Sequence, residues 1–176
     1  MPETVRDDLA ACLPRLLRYA RALTGDAAWA DDLVQDTAER ALRRTLLLRP
    51  HSNMHAWLMM MLRHLYIDQL RRRRELAVDA DDPLWQRLEA PAGEVDGLVL
   101  RDVQRAIFSL PLEQREVLLL VALEQLSYRE AATILQVPIG TVMSRLSRAR
   151  EHLRRVLGGD TGSRRTVFKV VRDGHE

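Results

Sequence analysis

The sequence contains few cysteines, lysines and aromatic residues. Its 176 residues include one cysteine, Cys12, and one lysine, Lys169, and aromatic residues make up 5%. A single cysteine excludes a disulfide bond within the chain, which favours a reducing compartment. Cys12 lies on an apolar stripe with Leu9, Leu13 and Leu16. We therefore expect a buried, unreactive thiol at this position.

Long apolar runs are also absent. The longest, Ala56–Leu62 and Val117–Ala122, are far shorter than the roughly 20 residues of a membrane-spanning helix. The segment Met1–Asp8 is acidic and has no apolar core of the kind found in signal peptides. We expect a cytoplasmic protein that does not insert directly into a membrane.

Patterns that carry catalysis or metal binding are missing as well. No histidine or cysteine stands at metal-ligand spacing, no nucleophile motif is present, and no glycine-rich loop could bind phosphates. The sequence predicts no catalytic residue, no metal site and no cofactor, and therefore a protein that is not an enzyme.

Arginine is abundant and unevenly distributed. Residues 41–75 contain eight basic and two acidic side chains, residues 76–100 contain one and six, and residues 138–176 contain nine and four. The planar guanidinium group suits phosphates and guanine edges. Two basic blocks separated by an acidic stretch indicate nucleic-acid binding, although a GC-rich genome also produces an excess of arginine.

Helical periodicity dominates the chain up to residue 165. It predicts a first helix that ends near Gly25, followed by helices over 27–44, 55–74, 98–109 and 111–124. The acidic stretch contains two prolines and two glycines, a composition typical of linkers. We predict an all-α protein of two small helical domains joined by a flexible linker, with a helix-turn-helix in the second. The predicted parts are a domain 1–75, a linker 76–97, a domain 98–158 and a flexible tail 159–176.

Residues 126–155 have the pattern of a helix-turn-helix. Ser127 and Glu130 form an S-x-x-E capping box that begins a short helix. Residues 136–138 make the turn, and Pro138 and Gly140 begin the second helix. In that helix Val142, Leu146, Ala149 and Leu153 follow helical spacing and should pack inward. The polar residues predicted on the opposite side are Thr141, Ser144, Arg145, Arg148 and His152.

An apolar back and a polar front are typical of a recognition helix that enters the major groove of DNA. The alternative is an amphipathic helix of an ordinary bundle, whose arginines are only solvated. The short capped first helix and the three-residue turn favour DNA binding.

A second basic segment, Arg71–Arg74, ends the third helix. Four successive arginines surround a helix and cannot all face one packing surface, so they suit phosphate binding. Cations at a helix C-terminus also interact favourably with the helix dipole, which is a simpler explanation. The preceding polar loop, Pro50–Met54, is short and could take up an extruded base, whereas Trp57 is expected in the core.

Carboxylates cluster on the second helix, where Asp31, Asp32, Asp36 and Glu39 accompany Gln35. Such a cluster is usually a solvated face. It becomes a docking surface only if a basic protein partner binds there.

Together these segments resemble the extracytoplasmic-function sigma factors, the smallest class of the sigma-70 family, over about residues 10–157. The resemblance rests on the joint order of the motifs ADDLVQDT at 30–37, AWL at 56–58, IDQLRRRR at 67–74, SLPLEQREV at 109–117, LSYREAA at 126–132 and VPIGTVMSRLSRAR at 137–150. Met143 stands where many members carry arginine or lysine.

The resemblance implies a function in starting transcription, with core RNA polymerase, promoter DNA and an anti-sigma factor as partners. The residues it implies for binding the clamp helices of the polymerase are Asp32, Leu33, Gln35 and Asp36. Those implied for the upstream, minus-thirty-five element are Thr141, Ser144, Arg145 and Arg148. Those implied for the opened downstream, minus-ten element and its phosphates are Ser52, Asn53, His55, Arg71, Arg72, Arg73 and Arg74.

Two other functions are compatible with parts of the sequence. A stand-alone helix-turn-helix regulator would bind promoter duplex without polymerase, through residues 98–176, and use the N-terminal part for dimerisation or ligand binding. An enzyme or a purely structural helical protein would show no salt-dependent DNA binding by that fragment.

Overall fold

The computed structural model describes residues 3–44, 53–79 and 98–158. These ranges form seven α-helices and one π-helical segment and contain no strand, which confirms the predicted all-α class. The elements are α1 (Glu3–Thr24), α2 (Ala27–Arg44), α3 (Met54–Asp79), α4 (Leu98–Phe108), α5 (Leu112–Leu118), the π-helical segment (Leu119–Leu123), α6 (Tyr128–Leu135) and α7 (Ile139–Gly158).

Helices α1, α2 and α3 form the N-terminal half. Gly25 ends α1 with a left-handed φ of +72°, a conformation that glycine adopts without strain. The Asp26 carboxylate then accepts the backbone N–H of Trp29 at 2.8 Å and caps the start of α2. The apolar stripes of the three helices meet in a core that includes the fully buried Leu16, Leu33 and Leu62.

Helix α3 is longer than predicted. The expected end near Arg74 is wrong, because the helix continues to Asp79 and takes in the first residues assigned to the linker. Glu75, Leu76 and Ala77 favour a helix, and no proline follows before Pro83. Most of the predicted linker, 80–97, and the predicted tail, 159–176, lie outside the described residues.

Helices α4 to α7 form the C-terminal half. The predicted helix over 111–124 is divided: α5 follows Pro111, and a π-helical segment replaces its last turn. The wider π turn closes with the Glu124 N–H donating to the Leu119 carbonyl at 3.0 Å, and Gln125 follows with φ of 55°. This turn directs the Glu124 side chain toward the N-terminal half.

The two halves pack against each other. Helix α3 contacts α6, and α1 contacts the π-helical segment. At one end, Phe108 of α4 lies over Gly25, where a Cβ atom would stand only 2.6 Å from the ring. Arg115 stacks on Phe108 at 4.6 Å, donates to its carbonyl at 2.7 Å and also donates to the Leu23 carbonyl of α1 at 3.5 Å, so the contact is built from both halves.

Two classes of site are absent from the described ranges. None of their helices is long and apolar enough to cross a membrane. They also contain no group of three or more histidine, cysteine or acidic side chains arranged to bind a metal ion.

Cys12 is half-buried rather than buried, and burial raises the pKa of its thiol, with Arg15 opposing and Asp8 adding to the shift. A raised pKa leaves less reactive thiolate.

Candidate nucleic-acid interface

The helix-turn-helix has the local geometry that its sequence predicts. Ser127 accepts the Glu130 N–H at 3.2 Å, and the Glu130 carboxylate accepts the Ser127 N–H at 2.9 Å, which completes the capping box. Gln136 ends α6 with φ of 56°, a left-handed conformation that turns the chain toward α7. The motif is therefore fixed by hydrogen bonds within the segment itself.

The predicted back of α7 is buried. Val142, Leu146, Ala149 and Leu153 are between 0% and 3% exposed, and they pack against α5 and α6. This packing determines which side of α7 faces outward. It confirms the inward stripe predicted from the sequence.

The outward face of α7 differs in part from the predicted one. Ser144 and Arg148 are exposed and Thr141 is half-buried. The other two predicted residues, Arg145 and His152, are half-buried against neighbouring parts of the C-terminal half. His152 shares a hydrogen bond of 2.7 Å with Ser109. Arg145 is half-buried near Glu116, and its charge opposes the burial that raises the pKa of that carboxyl.

Sequence reasoning missed residues on the other edge of the same face. Met143 is 53% exposed and Ile139 is 48% exposed, and Ser147 is exposed between them and the centre of the face. A Cβ atom added at Gly140 would meet no atom within 4 Å, so the first turn of α7 is open to a close approach. The sequence contained a signal for these residues. Met143 and Ser147 stand four positions apart, so they share one side of the helix, next to Ser144.

Three of the four successive arginines of α3, Arg71–Arg74, are exposed. Arg73 is the exception: its guanidinium lies 3.9 Å from the centre of the Trp29 ring, which stacks on Tyr66 at 5.2 Å. Arg71 makes a long contact of 3.9 Å with Glu75, and Arg72 and Arg74 extend outward. The arginine run therefore places three cations in solvent and uses one in packing.

A groove of about 410 Å³ separates α2 from α3. Gln69 lies in it and links the two helices, accepting the Trp29 indole N–H at 2.6 Å and donating to Asp36 at 3.0 Å. Sequence reasoning did not identify Gln69 as a functional residue, because an uncharged side chain within the IDQL segment gives no signal of its own. The residues lining the groove are Trp29, Asp32, Gln35, Asp36, Gln69, Arg72 and Arg73.

The residues that the resemblance assigns to polymerase binding do not all reach the surface. Asp32, Gln35 and Asp36 are exposed on α2. Leu33 is completely buried and packs in the core, so its assignment to a contact surface is wrong. Its position on the inner stripe of an amphipathic helix explains the burial.

Two of the candidate residues for the downstream element, Asn53 and His55, lie at the junction of the halves. Ser52 is outside the described residues. Asn53 caps α3 by accepting the Ala56 N–H at 3.1 Å and donates to Glu130 at 3.2 Å. His55 is 8% exposed, with its Nε2 atom 3.3 Å from the Glu124 carboxylate. In this arrangement of the halves His55 cannot contact a base.

Glu124 is the centre of an ion cluster between the halves. Its side chain is fully buried and contacts Arg15 at 3.1 Å and Arg18 at 3.0 Å, in addition to His55. Arg15 also donates to the Glu124 backbone carbonyl at 2.8 Å. Burial by itself raises the pKa of Glu124, but the hydrogen bonds of His55 and Arg18 and the nearby charges outweigh it and lower the pKa.

A second buried carboxylate, Glu116, pairs with Arg63 across the same interface. The two side chains meet at 2.8 Å, and Glu116 is 1% exposed. Burial raises the pKa of Glu116, and the charge and hydrogen bond of Arg63 offset this only in part. The neighbouring groups therefore outweigh the effect of burial on the pKa of Glu124 but not on the pKa of Glu116.

Comparison with known proteins identifies the two halves separately. Residues 100–153 match the family model described as "Sigma-70, region 4", and residues 9–63 match the one described as "Sigma2 domain of PhyR". Among solved structures, the chain is similar to the sigma factor RpoE in complex with the anti-sigma factor NepR from Bartonella quintana. That similarity has a TM-score of 0.75 and 33% identity, and covers 89% of this chain and 98% of RpoE. The chain is also similar to CnrH in complex with the cytosolic domain of CnrY, with a TM-score of 0.69 and 25% identity over 92% of each chain.

Relatives found by sequence agree with these matches. The chain is 39% identical over 175 residues to the ECF RNA polymerase sigma factor EcfG of Rhodopseudomonas palustris, covering 97% of each chain. It is 35% identical over 145 residues to the ECF RNA polymerase sigma factor SigE of Mycolicibacterium smegmatis, covering 80% of this chain and 56% of SigE. The chain therefore belongs to the extracytoplasmic-function sigma factors of the sigma-70 family.

Proposed function

We propose that this chain binds core RNA polymerase in the cytoplasm, directs it to a set of promoters and helps to open the DNA, without catalysing a reaction itself. The observation that carries the proposal is α7, which packs through a fully apolar back and presents hydroxyl, thioether and guanidinium groups outward. Bidentate arginine contacts to guanine discriminate bases by about 1–3 kcal/mol each.

The upstream element is bound by the exposed face of α7. Ser144 and Arg148 occupy the centre of that face, and Thr141 lies beside them. Met143 and Ser147 join this set because they are exposed on the same side. Arg145 makes a smaller contribution than the resemblance implies, since it is half-buried near Glu116.

The N-terminal half has two roles in this proposal. Its exposed Asp32, Gln35 and Asp36 bind a basic surface of the polymerase. The residues proposed for the opened downstream element are Ser52, Asn53 and His55, together with Arg71, Arg72 and Arg74 for the phosphates. Flipping a base costs a few kcal/mol, and contacts made only with the opened strand offset that cost.

An anti-sigma factor is the expected regulatory partner. Two solved structures similar to this chain contain sigma factors bound to anti-sigma factors, RpoE with NepR and CnrH with the cytosolic domain of CnrY. We propose that this chain is likewise controlled by a protein that covers its functional surfaces.

Transcription in vitro with core polymerase and a genomic promoter library tests the proposal. We expect polymerase plus this chain to start at a defined set of promoters. Asp36→Arg should abolish this activity because it reverses the charge of the docking face, whereas Asp7→Arg, on exposed α1 surface, should not. A chain that binds promoter duplex tightly alone and never programmes polymerase would instead be a stand-alone regulator.

Arg148→Ala tests the recognition helix in the same assay. We expect a loss of about 1–3 kcal/mol that is confined to promoters with one particular base. Arg154→Ala, an exposed arginine further along α7, is the matched control. An equal loss on all promoters would mean that Arg148 contacts phosphate rather than a base.

A further inference from the structure

The interface between the halves contains buried charged groups beside its apolar contacts. Three arginines and one histidine of the N-terminal half, Arg15, Arg18, Arg63 and His55, meet two buried carboxylates of the C-terminal half. Both carboxylates are 1% exposed or less. In each of these contacts the N-terminal half supplies the arginine or histidine and the C-terminal half supplies the carboxylate.

Such an interface can be separated at modest cost. Burying an ion pair requires removing both charges from water, and the attraction between them repays this cost only in part. Glu116 illustrates the imbalance, since its pKa is raised by burial despite Arg63. Once the halves part, water solvates the carboxylates and the cations again.

The proposed function, on which this inference rests, requires that separation. The C-terminal half binds duplex upstream and the N-terminal half binds the opened strand downstream, yet the C-terminal half covers His55 and holds the exposed Asn53 through the hydrogen bond that Asn53 donates to Glu130. Opening exposes His55 and Arg63 and releases Asn53 from Glu130. It also leaves Arg15 and Arg18, whose side chains are already 44% and 51% exposed, without their carboxylate partner.

This surface has the arrangement of a binding site for a polyanionic strand. Arg15, Arg18 and His55 converge on one carboxylate, so they lie within one phosphate's reach of each other. Arg63 lies two helical turns from His55 on α3, about 12 Å along the helix. That distance exceeds the reach of one phosphate, so Arg63 and the position at His55 contact different phosphates of the strand. Arginine forms charge-assisted hydrogen bonds with carboxylates and phosphates alike.

We propose that Arg15, Arg18, His55 and Arg63 form a phosphate-binding site for the promoter strand, which Glu124 and Glu116 occupy in the closed arrangement of the halves. The C-terminal half thus masks the site with carboxylates that stand where backbone phosphates bind. Opening removes the mask and creates the DNA site in one step.

Two kinds of substitution separate this proposal from a purely structural contact. Glu124→Gln and the double variant Arg15→Ala, Arg18→Ala both break the same ion cluster, and both favour the open arrangement. If the cluster only joins the halves, they must act on DNA binding in the same direction. If the cations bind phosphate, they must act in opposite directions.

The measurement is binding of a forked promoter DNA, with a single-stranded downstream end, to the full chain without polymerase, in which the halves are free to close. We expect Glu124→Gln to bind more tightly than the wild type. We expect the double arginine variant to bind about tenfold more weakly, with a salt dependence reduced by about two phosphate contacts. Arg15→Lys with Arg18→Lys should recover most of the salt dependence, which shows that the fold is intact.

The controls define which result overturns what. Arg6→Ala with Arg21→Ala removes two cations from α1 outside the cluster and should leave the salt dependence unchanged. The inference is overturned if the arginine variants bind DNA as tightly as Glu124→Gln. It is also overturned if these variants lose binding to an acidic protein partner but not to DNA. Failure of the wild-type holoenzyme to start at any promoter would instead overturn the proposed function.

Discussion

The core of the helix-turn-helix is held by aliphatic packing, whereas the interface between the halves also contains buried ion pairs. Inside the motif, α7 packs on α5 and α6 through aliphatic side chains that are almost completely buried. Between the halves, Glu116 and Glu124 form buried ion pairs. Apolar burial stabilises strongly and without direction, whereas charged contacts compete with water. The first region should keep its shape during function, and the second should open.

The largest effect is expected inside the motif. Leu146→Ala removes a side chain that is 2% exposed and should lower the free energy of unfolding by about 2–5 kcal/mol. Ser147→Ala, the exposed neighbour, should change it little. Denaturant unfolding of the full chain measures both. A loss below about 1 kcal/mol at Leu146 would show that the motif is not held by its apolar core.

A smaller effect is expected where the halves meet at Gly25. Gly25→Ala forces alanine into a left-handed φ of +72° and places its Cβ against Phe108 at 2.6 Å. We expect a cost of about 1–3 kcal/mol and a more open arrangement in small-angle X-ray scattering. Gly140→Ala is the matched control, because nothing lies within 4 Å of its added Cβ. If the two variants behave equally, Phe108 does not pack on Gly25 between the halves.

The smallest effect on stability is expected from acid, because the two interface carboxylates act in opposite senses. The pKa of Glu124 is lowered, so its contribution is complete above its ordinary pKa and is lost as the pH falls through the lowered value. The pKa of Glu116 is raised, so its ionised form opposes closure at neutral pH and protonation relieves this as the pH falls.

Scattering between pH 7 and about pH 3 should therefore show the halves remaining together until Glu124 protonates. Glu124→Gln should already be more open at pH 7 and should lose this acid-dependent step. If wild type and variant open at the same pH, other groups control the interface.

The sequence was sufficient where local rules decide. Helix α2 lies at its predicted residues, the Ser127–Glu130 capping box is formed, and Val142 and Leu146 are buried as their spacing requires. Each of these depends on residues a few positions apart. The same rules could not decide the outer edge of α7, since only packing against α4 and α5 draws His152 and Arg145 away from the exposed face.

By itself, the sequence determined the helical class, the helix-turn-helix and the buried stripe of its second helix, because helical periodicity and capping act over one or two turns. Only the tertiary structure decided that Leu33 lies in the core, that Gln69 links α2 to α3, and that Glu124 meets Arg15 and His55. The reason is sequence separation: Arg15 and Glu124 stand 109 positions apart. No periodic pattern connects residues that distant, so the docking of the two halves alone brings them together.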